Sequence, residues 1–129
     1  MPTETVDVKE SILNSVKKLL GIPQDLQEFD PDIIMNINAA IFTLRQIGVG
    51  PESGFTITGE EETYDDYLGE GSKETSQVKM YLYYKTRLSF DPPTSGTVTD
   101  CMKEFIREAE CRLSYQVDPY DVFVSKEED

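Results

Sequence analysis

No histidine and no tryptophan occur among the 129 residues of this chain. Histidine is the side chain that most often serves as base, proton shuttle or zinc ligand near neutral pH. Its absence excludes Ser-His-Asp and Cys-His triads and every His-based metal site, so no enzymatic activity is expected. Basic residues are also scarce: 12 Lys and Arg stand against 25 Asp and Glu, a formal charge of -13. Such a surface repels a phosphate backbone, and sequence-reading DNA or RNA binding is not expected. Long apolar runs are missing. The richest stretch, Ile33 to Phe42, is broken by Asn36 and Asn38 and falls short of the roughly 18 residues a membrane span needs. Residues 1–15 carry Glu4, Asp7 and Glu10 and lack the basic start and apolar stretch of a signal peptide, so synthesis in the cytoplasm is expected.

There are two cysteines, Cys101 and Cys111, ten residues apart in a segment that reads as one helix. Along a helix that is roughly 15 Å. A disulfide tolerates a Cα separation of about 7 Å at most, so the two are expected as reduced thiols and, by residue type, as small buried apolar side chains.

What is present suffices for one core. Ile, Leu and Val occur nine times each and Phe six times, in a chain of ordinary single-domain length. The periodicity predicts a mainly α fold, a small bundle of four principal helices with a long loop. The first helix is expected over Val8 to Leu20, with Val8, Ile12, Val16, Leu19 and Leu20 on one stripe and Gly21 as its stop. Asp30-Pro31-Asp32 announces the second, Asp30 capping and Pro31 in the first turn. Its stripe is Ile34, Ile37, Ile41 and Leu44, widened by Ile33 and Ala40, and Gly48 and Gly50-Pro51 end it.

Residues 50–76 change texture, with five glycines and an acidic run. Phe55 and Ile57 alternate with Thr56 and Thr58 as in a short strand or hairpin, and Thr63-x-x-Asp66 can cap a brief helix. A loop of this length in a small domain is usually functional or disordered. The third long helix, Ser76 to Phe90, is apolar or aromatic on two sides and belongs at the centre of a bundle or at a subunit interface; Asp91-Pro92-Pro93 ends it. The fourth, about Thr97 to Tyr115, places Val98, Cys101, Met102, Phe105, Ala109 and Leu113 on its stripe. Residues 116–129 read as an extended arm, outside a helical domain that spans 1–115 and carries the 50–76 excursion.

Several constellations fail on spacing. The acidic run Gly59 to Asp66 lacks the ligand register of an EF-hand, and Gly69-Glu70-Gly71 lacks the Lys-Ser/Thr of a phosphate loop. No metal and no cofactor are expected. Residues 1–70 hold 14 acids and 4 bases, and residues 71–129 hold 11 acids and 8 bases, so the negative field is one-sided. One function class compatible with that is an acidic DNA mimic whose carboxylates at 60–70 occupy a basic cleft of a DNA-acting enzyme.

A second class is reached through a resemblance. The strings Ile12-Leu13-x-x-Val16-Lys17-Lys18-x-Leu20-Gly21-Ile22, Phe29-Asp30-x-Asp32-Ile33-Ile34-x-x-Ile37-Asn38 and Leu44-x-Gln46-x-Gly48-Val49-Gly50-Pro51 occur in order. Val78-Lys79-x-Tyr81, Lys85-x-Arg87-Leu88-x-Phe90-Asp91-Pro92-Pro93 and Glu108-x-Glu110-x-Arg112-Leu113 follow. Together, over about residues 10–115, they resemble the small head-tail connector (adaptor) proteins of long-tailed bacteriophages. Where that resemblance places tryptophan, this chain has Tyr64 and Cys111.

The resemblance implies a structural virion protein of the head-tail neck. Its copies would form a ring, expected to be a dodecamer, beneath the portal protein and above a downstream neck or tail-completion protein. DNA would pass through the channel without sequence-specific binding, and no membrane would be involved. Subunit contacts are then expected from Phe55 and Ile57, taken as exposed, with Tyr64, Tyr67, Tyr81 and Tyr84. Portal docking is expected from the arm around Val117, Tyr120, Val122 and Phe123.

Overall fold

The computed structural model describes residues 10–117. Five helices are present among them: α1 (Ile12–Leu20), α2 (Asp30–Gln46), α3 (Tyr64–Leu68), α4 (Thr75–Phe90) and α5 (Gly96–Val117). The mainly α expectation holds. No strand forms among the described residues; the pairing there is an isolated antiparallel bridge between Ser11 and Thr63.

Helix α1 starts where Ser11 Oγ accepts from the Asn14 amide at 3.2 Å. It ends on Gly21 at φ 83°, a left-handed position that costs glycine little, and the Ile22 amide closes back on the Lys17 carbonyl at 2.9 Å. Residues 1–9, including the expected Val8 start, lie outside the described residues. Ile12, Leu13 and Val16 are buried as the periodicity required, whereas Leu19 in the last turn is exposed.

Lys17, not Leu19, turns inward: it is 1% exposed. Its ammonium donates to the Gln24 and Leu26 carbonyls at 3.0 and 2.8 Å and pairs with Asp30 Oδ1 at 2.9 Å. The stapled segment is the α1–α2 connection. This contact also corrects the expected cap of α2. Asp30 is itself helical and Phe29 takes the N-cap without a side-chain bond, because the Asp30 carboxylate faces Lys17. Asp30 and Asp32 still sit in the first turn, where carboxylates favour the helix dipole.

The inner stripe of α2 is Ile33, Ile37, Ala40, Ile41 and Leu44, all buried. Helix α4 lies at the centre of the bundle, packed against α1, α2 and α5. That resolves why it is apolar on two sides: Val78, Tyr81, Leu82 and Thr86 are buried. On α5 the buried stripe is Met102, Ile106, Ala109 and Leu113, narrower than the sequence suggests because α4 is its principal partner. Val98 and Phe105 therefore sit at its margin, the first 47% exposed and the second half-buried. The expectation of buried thiols is corrected as well: Cys101 and Cys111 are both exposed and unpaired.

Candidate functional site

The excursion over residues 50–76 is where the sequence places contacts with other chains, and its path is set by contacts within this one. Asn38 on α2 substitutes for a partner strand, its Oδ1 accepting from the Ile57 amide at 2.8 Å and its Nδ2 donating to the Ile57 carbonyl at 3.0 Å. Ile57 is thereby delivered to the core, 1% exposed, and the Phe55–Thr58 stretch forms no strand. At the far end the Ile12 amide donates to the Glu62 carbonyl at 3.0 Å and the Tyr64 amide to the Glu10 carbonyl at 3.2 Å, so the excursion is tied to the start of α1.

Helix α3 follows with the expected capping box: the Asp66 amide donates to Thr63 Oγ1 and the Thr63 amide to Asp66 Oδ2, both at 3.1 Å. Three residues apart on this short helix, Tyr64 and Tyr67 point the same way and are buried. Phe55 stacks on Tyr67 with ring centroids 4.9 Å apart. Tyr81, on α4, is fully buried, and its hydroxyl donates to Glu110 Oε2 at 2.7 Å, joining α4 to α5.

Four of the six residues expected at subunit contacts, Ile57, Tyr64, Tyr67 and Tyr81, are thus corrected to core positions. For Ile57, Tyr64 and Tyr67 the physical reason is that the Asn38 bonds, the bridge at Ser11 and the capping box fold the excursion back onto the helices; Tyr81 is buried because α4 is the central helix of the bundle. Phe55 and Tyr84 stay half-buried at the margin, Tyr84 packed edge-on against Phe105 at 4.8 Å. Val117 is the last residue of α5, so the helix enters what was expected to be arm. Tyr120, Val122 and Phe123 lie outside the described residues.

Burial pushes the hydroxyls of Tyr64, Tyr67 and Tyr81 well above their ordinary 10.0, and for Tyr81 the Glu110 carboxylate strengthens the effect. A pKa raised on folding contributes stability that is complete below the unfolded value near 10 and is lost as pH climbs past it. In an alkaline titration followed by tyrosinate absorbance and circular dichroism, these three tyrosines are expected to ionise together with the loss of helix. Stepwise ionisation with the helices intact would contradict their placement.

The acidic run is also used at home. Glu62 accepts from the Thr58 hydroxyl and amide at 2.8 and 3.1 Å. Burial raises its pKa, but these bonds and the Gly59 amide outweigh that and hold the carboxyl below its ordinary value. Glu60 accepts from Asn14, and Asp66 caps α3. Three of the carboxylates that a DNA mimic would present serve local folding instead. Among the described residues no group of three or more His, Cys, Asp or Glu is placed to hold a metal ion, and no helix is long and apolar enough to cross a membrane.

The side chains that sequence reading missed are on the outside of α2. Met35 and Phe42 are 67% and 56% exposed, with exposed Ala39 between them. Steps of four and three put them on one face, opposite the buried stripe. The signal was a second apolar period in the same helix, masked by the stronger inner one.

These features define a class: a small all-helical module that spends Tyr64, Tyr67, Tyr81 and several of its carboxylates on its own folding and leaves apolar helix surface free. The profile of the phage connector protein family matches residues 12–120. The chain belongs to that family and is a phage connector, a structural component of the phage particle. No curated protein and no solved structure matches it.

Proposed function

We propose that this connector is the portal-proximal adaptor of the neck in a long-tailed phage. Copies join in a closed ring, expected to be twelve-fold, that docks beneath the portal protein and receives the next neck or tail-completion protein below. DNA crosses the central channel without sequence-specific contact. The role is mechanical and involves no catalysed reaction and no cofactor. The protein is made in the bacterial cytoplasm and ends in the virion.

The observation that carries this reading, beyond family membership, is the free apolar face of α2, since large side chains aligned opposite a helix's buried stripe contribute nothing to the monomer's core. The charge of -13 supports the channel, because a negative wall lets a phosphate backbone slide without sticking. Residues 118–129, which include Tyr120, Val122 and Phe123, supply apolar side chains for the portal.

Light scattering over a concentration series, with and without rings of the cognate portal protein, tests it. The full chain is expected to form a closed oligomer, alone or on the portal. A chain ending at Val117 is expected to keep its melting temperature and lose portal binding. A full chain that stays at 14.7 kDa and ignores the portal would refute the proposal.

A further inference from the structure

We propose that neighbouring copies meet head to tail, the outer face of α2 in one copy seating on the α4–α5 margin around Val98, Cys101 and Phe105 in the next. This rests on the reading that copies of the chain assemble, and it names the two surfaces that do so.

The first surface is the stripe of Met35, Ala39 and Phe42, eight residues of helix and roughly 10 Å from end to end. It continues into an open groove of about 270 Å³ lined by Ile41, Phe42, Gly54 and Phe55, with Asn38 and Arg45 at its rim. Scattered exposed apolar residues are ordinary, but two large ones on one helix face beside a half-buried Phe are a patch.

The second surface lies on a different element. Val98 is 47% exposed, Cys101 is exposed, and Phe105 and Tyr84, both half-buried, pack edge to face. Helices α2 and α5 each pack on α4, and each keeps its patch off its buried stripe. Two unlike patches on one subunit are what a head-to-tail contact requires, whereas a two-fold contact uses one patch twice.

Charge selects between these arrangements. Residues 10–70, which contain α2, hold 12 acids and 3 bases, and one of those bases, Lys17, is buried against Asp30. Residues 71–117, which contain α4 and α5, hold 6 acids and 7 bases, with Lys103, Arg107 and Arg112 exposed on α5. An α2-to-α2 dimer would press two strongly negative halves together. A head-to-tail contact sets the negative half of one copy against the near-neutral, cation-bearing half of the next, and repeats around a ring.

The native Cys101 makes the test direct. In a full-length Cys111→Ser background, Met35→Cys or Phe42→Cys is assembled at concentrations where light scattering shows oligomer, then treated with a short bismaleimide. Both positions are exposed, and unchanged melting temperatures establish that the variants fold. The expected result is a ladder of dimer, trimer and higher species on a denaturing gel, lost when Cys101→Ser is added. Cross-linking that stops at dimer and survives Cys101→Ser would show a two-fold α2 contact and overturn the proposal. Assembled protein that yields no cross-link would also overturn it, and so would a Met35→Asp/Phe42→Asp chain that still assembles but no longer binds the portal. A chain that forms no oligomer under any condition would overturn both this contact and the reading beneath it.

Discussion

Replacing Lys17 with methionine is expected to cost about 2–3 kcal/mol, because the change keeps the buried stem and removes an ammonium that three oxygens share. The Gln24 and Leu26 carbonyls and the Asp30 carboxylate would each need water in its place. Gln24 and Leu26 are exposed and Asp30 is 20% exposed, so hydration recovers part of the loss and the figure falls below the ~3–5 kcal/mol typical of breaking a fully buried pair. For a domain of this size the melting temperature should fall by on the order of 10 °C. Thermal unfolding by circular dichroism measures it. A shift of a degree or two would mean that the α1–α2 connection holds its course without the ammonium.

Gly50→Val is expected to be at least as damaging, about 3 kcal/mol, through two independent causes. The backbone there is at φ +91°, where a β-branched residue is strained by roughly 1–3 kcal/mol. A Cβ at that position would also stand 2.7 Å from Cε1 of Tyr67. That ring cannot yield easily, since it is buried and stacked on Phe55. Chemical denaturation should show the loss with wild-type cooperativity. Gly50→Ala should lie between the two, since it brings the same clash with less backbone strain.

Both substitutions act on parts of the molecule that were only half legible beforehand. The helices could be read because their causes are local: Gly21 and the Thr63/Asp66 box act within a few residues, and the inner stripe of α2 repeats every three to four positions. Lys17 could not be read. Next to Lys18 in a last helical turn it looks like solvated charge favouring the helix dipole, and it is buried only because the connection curls over it. Ile57 and the tyrosines of α3 failed for a related reason. A Gly-rich, acidic excursion resembles free surface in one dimension, and the two bonds from Asn38, nineteen residues away, exist only in three.

The same distinction separates the interior from the proposed assembly surface. Aromatic residues in the long excursion looked like adhesive for other copies, yet folding consumes most of them. What remains for a neighbour is less conspicuous in the sequence: a Met, an Ala and a Phe on the far side of the most regular helix, and a Val and a Cys at the start of α5. A connector subunit with this division can be a stable monomer before assembly, because its core does not wait for a partner to complete it. In the ring we propose, it would add through surface that was never needed for folding.

Native mass spectrometry of the full chain beside its Met35→Asp/Phe42→Asp variant, at one concentration and with the cognate portal rings present, tests that division most directly. The account predicts a closed multiple of the 14.7 kDa subunit for the first. For the second it predicts a folded monomer with an unchanged melting temperature. Equal assembly of the two chains, or a full chain that remains monomeric beside the portal, would contradict it.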